Sequence, residues 1–126
     1  MVFDTDVLIW FLRGNIRAAK IIEASEIRKL SVVTLMELHQ GARDKKEQKT
    51  LGKFIHDFSF EVLPISENIS HRACIYVEEY FLKANLQLAD ALIAATVVEH
   101  RETLCSANAK HYKVVIDLAL KVFRPE

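Results

Sequence analysis

Short runs of β-forming apolar residues alternate with helix-forming stretches along the whole chain, and this alternation restricts the fold more than any other feature. The candidate strands are Val2–Phe3, residues 30–33 (LSVV), residues 60–65 (FEVLPI), residues 103–105 and residues 122–123. Between them lie segments with helical spacing and punctuation. Leu51, Phe54, Ile55 and Phe58 fall at i, i+3, i+4 and i+7, the stripe of an amphipathic helix. Asn15 and Ser66 stand where N-caps are expected, the first before a helix from Ile16 to Ala24. Residues 88–99 (LADALIAATVVE) are apolar on nearly every side, which predicts a central helix. Strands separated by helices pair in parallel, because the chain must cross back before each new strand begins. The expected fold class is therefore α/β, with a central parallel sheet of four to five strands covered by helices on both faces. A length of 126 residues without linker or repeat predicts a single domain over residues 1–126.

Composition narrows the function classes. The 17 basic and 17 acidic residues cancel, so no global field draws in nucleic acid and any such contact needs a local patch. Cys74 and Cys105 form no CxxC pair and no zinc spacing, and are read as reduced core thiols. The N-terminal apolar run has no Lys or Arg before it and two acids within it, the opposite of a secretory leader. The longest apolar stretch, Leu86 to Val98, is too short to span a membrane and contains Asp90. A cytoplasmic protein is expected.

Three acids sit in strongly apolar surroundings: Asp4 in VFDTD, Glu37 in SVVTLMELHQGA and Asp90 in LQLADALIAAT. Burying an ionised carboxylate without a partner is costly. In a parallel sheet, functional groups gather beyond the carboxyl ends of the strands, which is where Asp4 falls. Glu37 follows the second strand by one helical turn, and Asp90 lies near the start of the central helix, so all three can converge there. Carboxylates that converge repel unless a cation neutralises them, and hard divalent ions suit an all-oxygen site. Each acid also has a plainer explanation. Thr34 and Glu37 have the spacing of a capping box, Asp90 favours the positive end of its helix dipole, and Asp6 can cap the helix that follows it.

The motifs DTDVLIWFL, TLMELHQGA, LADALIAAT and CSANAKHY occur in the order and spacing of the PIN-domain family, and the chain most resembles the VapC-type toxins of toxin–antitoxin pairs. The resemblance covers essentially the whole chain. It implies a three-layer α/β/α fold and a Mg²⁺- or Mn²⁺-dependent endoribonuclease that hydrolyses RNA phosphodiesters with a metal-activated water, leaving a 5′-phosphate and a 3′-hydroxyl. It matches Asp4, Glu37 and Asp90 to the family's acids, with the metal held mainly by Asp4 and Asp90 and by Glu37 through water. At the fourth position Asn108 stands where some relatives carry Asp, and it joins the catalytic set through its amide. Thr5, Ser106, His111 and Arg13 are candidate substrate contacts. A cognate antitoxin and a homodimer are the implied partners.

Other features have weaker claims. Arg43, Lys45, Lys46, Lys49 and Lys53 form a basic run that either touches RNA phosphates or is a solvated helix face. The five histidines show no metal spacing. VFDTDVLI also resembles the DxD motif of haloacid-dehalogenase-like phosphatases, but the late acidic pair of that family is missing. The other alternative is a catalytically weakened PIN-fold module that binds RNA or protein, which Asn108 would favour.

Overall fold

The computed structural model describes residues 1–126. Its elements run β1 (Val2–Phe3), α1 (Thr5–Leu12), α2 (Ile16–Ala24), β2 (Lys29–Ser31), α3 (Val32–Gln40), α4 (Lys45–Asp57), β3 (Glu61–Leu63), α5 (Glu67–Ala84), α6 (Leu88–Glu99), β4 (Thr103–Ser106), α7 (Ala109–Tyr112) and β5 (Ala119–Val122). The strands form one all-parallel sheet in the order β3-β2-β1-β4-β5. The chain moves outward from β1 in one direction through β2 and β3, and in the other through β4 and β5. The switch point therefore lies between β1 and β4, where a crevice opens at the carboxyl ends of parallel strands.

The strands are short but carry the two-sided pattern of a covered sheet. Val2 faces one core and its neighbour Phe3 the other, since successive side chains on a strand alternate. Leu104 and Cys105 divide in the same way. One layer centres on α5 and α6, with Ile69, Ala73, Ile93, Ala94 and Val97 buried against the sheet. The other centres on α1, α2 and α4, where Phe11 stacks on Phe54 at 4.9 Å and Phe3 meets Phe60 edge-on at 6.0 Å. The expected stripe on α4 buries Leu51 and Phe54 there. Helix α6, apolar all round, is buried along most of its length, as its sequence predicts.

Punctuation follows the side chains. Asn15 Oδ1 accepts from Ala18 N–H, and Ser66 Oγ accepts from Ile69 N–H, so both predicted caps form. Asn85 adopts the left-handed conformation (φ 58°) that ends α5 and lets α6 fold back on it. The β-branched run LSVV is not all strand. Ser31 Oγ accepts from Val33 N–H and starts α3 at Val32, so a local cap overrides strand propensity. The last strand lies earlier than expected, over Ala119–Val122. Cys105 is buried but Cys74 is exposed on α5, so only one of the two thiols belongs to the core. No helix is long and apolar enough to cross a membrane.

Candidate active site at the carboxyl edge of the sheet

Asp4 follows β1 directly and is the N-cap of α1. Its Oδ1 accepts from Thr5 N–H at 2.9 Å and its Oδ2 accepts from the Ser106 hydroxyl at 2.7 Å. Its backbone N–H donates to Cys105 O at 2.9 Å, so the β1–β4 pairing extends to the residue that carries the carboxylate. Asp4 is only 5% exposed. Burial, then the Asp6 charge, raises its carboxyl from 3.8 to about 7, against the opposing effect of the Ser106 and Thr5 bonds.

The end of β4 grips both acids of the N-terminal motif. Ser106 Oγ, besides donating to Asp4, accepts from Asn108 N–H at 2.9 Å. Ala107 N–H donates to Asp6 Oδ2 at 3.1 Å. The cap of α1 is therefore Asp4, and Asp6 is turned instead toward the β4 loop, contrary to the expectation that it caps the helix. Asp6 Oδ1 is sealed from solvent and has no hydrogen-bond partner. Burial is the main cause that pushes the Asp6 carboxyl above its ordinary value.

Glu37, in the second turn of α3, does not close a capping box. Ser31 caps that helix, and Glu37 Oε1 instead accepts from Thr5 Oγ1 at 2.7 Å. Thr5 Oγ1 also lies 3.0 Å from Thr34 Oγ1. Thr5 has one hydroxyl proton, so if it donates to Glu37 it accepts from Thr34. One threonine thus links α1 to α3 and orients an acid contributed by a third segment of the chain.

Asp90, in the first turn of α6, reaches the same crevice. Tyr112 Oη donates to Asp90 Oδ1 at 3.3 Å, and His111 Nδ1 lies 3.7 Å from Asp90 Oδ2. Asn108 Nδ2 lies 3.2 Å from the same His111 nitrogen. Tyr112 is fully buried, and burial beside Asp4 and Asp90 holds its hydroxyl far above the usual tyrosine range. It therefore acts only as a neutral donor. No motif in the sequence marks this hydroxyl, which gains its role only when the fold brings Asp90 to it. The helix Ala109–Tyr112 that presents it was not expected either.

Elsewhere the chain pairs its partly buried acids with cations. Glu102 meets both the Met1 amine (3.0 Å) and Lys29 Nζ (2.8 Å), and Glu99 meets Arg72 Nε at 2.5 Å. Asp4, Asp6, Glu37 and Asp90 have no Lys or Arg partner. As they stand, no three His, Cys, Asp or Glu side chains are drawn together tightly enough to grip one ion, because hydroxyls and backbone amides hold the carboxylates instead. The donor set is nonetheless all oxygen, strongly anionic and partly unpaired, which is the chemistry a hard divalent cation fits.

Arg13 is the exposed C-cap of α1. It lines an open groove of about 900 Å³ between α1, α3 and α4, together with Glu37, Ile9, Leu12, Arg43 and Lys46. The basic run of α4 is exposed throughout, but Arg43 and Lys46 border this groove while Lys49 and Lys53 do not. Trp10 and Phe11, both half-buried, pack against the α1–α4 core.

A sheet of this order, with carboxylates from three separate segments at its switch point, defines a class of fold and site. The model of the PIN domain matches residues 1–116, and the chain belongs to that family. Among solved structures it is similar to a chain of a toxin–antitoxin complex from Klebsiella pneumoniae, with 30% identity over 99% of this chain and 97% of that one, and a TM-score of 0.77. It shares its fold with a chain of VapBC2 from Rickettsia felis, solved bound to a promoter DNA fragment (19% identity, 98% and 100% covered, TM-score 0.84). It also shares it with a chain of FitAcB from Neisseria gonorrhoeae (24% identity, 98% and 96% covered, TM-score 0.75). A comparison with curated proteins returned no match.

Proposed function

We propose that this chain is the toxin of a type II toxin–antitoxin pair, a Mg²⁺- or Mn²⁺-dependent endoribonuclease. The observation that carries the reading is the set of acids at the switch point, which lacks the Lys or Arg partners given to Glu99 and Glu102. Membership of the PIN-domain family and likeness to a chain of a toxin–antitoxin complex support it.

Asp4 and Asp90 would hold the ion directly and Glu37 through water. Bound there, the ion would supply Lewis-acid chemistry, activating water and stabilising charge on the phosphoryl oxygens. The chain's own groups do the rest. Ser106 and Thr5 N–H fix the rotamer of Asp4, and Thr5 Oγ1 fixes Glu37. Glu37 or Asp90 takes the proton of the attacking water. Asn108 holds a water or a phosphate oxygen through its amide, and His111 lies beside Asp90 to meet substrate. Arg13 and Lys46 are the cations of the groove beside Glu37 that RNA phosphates would meet, while Arg43 is paired with Glu47 in the same wall. The products are a 5′-phosphate and a 3′-hydroxyl. The same groove, with Ile9, Leu12 and Leu38 in its wall, would seat an apolar segment of the antitoxin, whose Arg or Lys would neutralise the acids in place of the metal. Leu82 and Leu88 stand 94% and 70% exposed on either side of the α5–α6 turn, and such surface suits a homodimer. A cytoplasmic location follows from this reading, as the RNA and the antitoxin are there.

The test is cleavage of total cellular RNA by the purified protein with Mg²⁺ or Mn²⁺, with EDTA, and as Asp4→Asn and Asp90→Asn. Discrete fragments that disappear with EDTA and in both variants support the ribonuclease. Identical behaviour of folded wild type and variants would leave a PIN-fold binding module in its place.

A further inference from the structure

Ser106 fixes Asp4, so whatever fixes Ser106 also bears on the candidate site. The match to the PIN-domain model ends at residue 116, before β5 and the residues that follow it. Strand β5 is the edge of the sheet, pairs only with β4, and buries none of its four residues. A strand with so little buried surface opens easily unless its ends are tied. The tie at its carboxyl end is the segment Phe123–Glu126. Phe123 N–H donates to Ser106 O at 2.8 Å, and Phe123 is buried in the core cluster that contains Phe3, Val7, Leu8 and Cys105. Asn15 Nδ2 donates to Pro125 O at 3.0 Å, and the Arg17 guanidinium donates to Glu126 O.

These contacts join the parts of the chain that frame the site. Ser106 gives its hydroxyl to Asp4 and its carbonyl to Phe123, so one residue links the tail to the carboxylate. On the other flank of β4, Asp4 N–H donates to Cys105 O, so the end of β4 is held from both sides. Asn15 lies just past α1, the helix that Asp4 caps. It uses both ends of its amide: Oδ1 caps α2 through Ala18 N–H, and Nδ2 holds the tail. A cap needs only the acceptor, so the Nδ2 donor has a task of its own. We propose that Phe123–Glu126 is a brace for the candidate site, clamped by Asn15, that keeps Ser106 placed to hold Asp4. Asn15 and Phe123 are then positioning residues. The effect of the brace on cleavage rests on the ribonuclease reading above; the brace itself does not.

Backbone amide exchange followed by NMR, with neither RNA nor metal present, tests the brace. Asn15→Asp keeps the acceptor for Ala18 N–H, removes the donor to Pro125 O and sets a carboxylate against that carbonyl. Asn15→Ser keeps a capping oxygen and loses the donor without adding charge. Losing one hydrogen bond shifts a local opening equilibrium about fivefold. We expect both variants to speed exchange at Phe123, Ala107 and Asn108 by at least about that factor. Exchange at Ala18 and Ile69, at the caps of α2 and α5, should not change. Unchanged exchange at Phe123, Ala107 and Asn108 overturns the inference. An equal rise at Ala18 and Ile69 overturns it too, since that is general loosening. The second arm is RNA cleavage with Mg²⁺ by wild type, Asn15→Asp, Ser106→Ala and the double variant. Asn15→Asp should lower kcat with KM unchanged, and should have no further effect in the Ser106→Ala background. Losses that multiply in the double variant overturn the route through Ser106. Absence of cleavage by wild type overturns the ribonuclease reading alone, and the exchange arm still decides the brace.

Discussion

Replacing Asp4 by Asn should make the metal-free protein more stable, not less. Asp4 is 5% exposed, and burial beside Asp6 raises its carboxyl from 3.8 to about 7. Between those values the folded state keeps a proton that the unfolded chain has already released, so stability falls as pH rises through that window. Above about pH 7 the loss is complete, and at about 1.36 kcal/mol per pH unit it amounts to about 4 kcal/mol. Asn escapes this penalty. It also loses something, because the wild-type carboxylate accepts from both Thr5 N–H and Ser106 Oγ–H while an amide oxygen replaces only one of its two oxygens. One lost hydrogen bond costs about 1 kcal/mol. The net gain is then about 2–3 kcal/mol, or about 10 °C in Tm for a chain of this size. The assay is a thermal melt followed by circular dichroism, in EDTA, from about pH 4.5 to 8. At about pH 4.5 the wild-type penalty is only about 1 kcal/mol, the lost hydrogen bond cancels it, and the two melting curves should nearly coincide. An Asp4→Asn protein that melts below wild type at pH 8, or a difference that does not change with pH, would refute the reasoning. Adding Mn²⁺ in excess should raise the wild-type Tm and leave the variant nearly unmoved.

Other substitutions probe the same architecture. Thr5→Val removes the hydroxyl between Glu37 and Thr34. It should cost about 1–2 kcal/mol in a urea melt and lower the RNA cleavage rate about tenfold or more without abolishing Mn²⁺ binding. Ser106→Ala strips one donor from Asp4 and the acceptor from Asn108 N–H. Because that donor lowers the Asp4 pKa, the ascending limb of the cleavage pH profile should move to higher pH, and an unmoved limb would count against the role given to Ser106. Arg28→Ala, far from the acids, removes three donors that bridge the Ile22, Glu23 and Phe58 carbonyls. It should destabilise by about 2 kcal/mol with cleavage intact below the melting range. Thiol titration of the native protein should report one reactive cysteine, Cys74, because Cys105 is buried and its thiol is pushed up to about 11.

The features legible in the sequence were those set by local chemistry over many residues. Alternating elements gave the parallel sheet, the stripe on Asp44–Phe58 gave α4, and the unbroken apolar character of Leu88–Glu99 gave the central helix. Three acids in apolar contexts pointed to the carboxyl edge, and the structure places Asp4, Glu37 and Asp90 there. The features that escaped depend on partners distant in sequence. Whether Asp6 caps α1 or turns to residue 107 is decided by how β4 docks, about a hundred positions away. Thr34 and Glu37 have capping-box spacing, but Ser31 takes the cap and Thr5 takes the glutamate. A hydroxyl such as that of Tyr112 carries no pattern at all until tertiary structure brings Asp90 to it.

The pairing of Ser106 with Asp4 has a consequence for when the protein becomes competent. The central strand β1 is made about a hundred residues before β4, its neighbour on one side. Until β4 emerges, Asp4 lacks both the backbone partner at Cys105 and the hydroxyl of Ser106, and Asp6 lacks Ala107. Contacts this distant in sequence cannot form on a partial chain, whatever its local propensities. A chain stalled or truncated before about residue 108 would carry most of the acids without the loop that gathers them. Synthesis thus delays the assembly of the crevice until β4 and the loop beyond it have been made, however much of the chain before them has already folded.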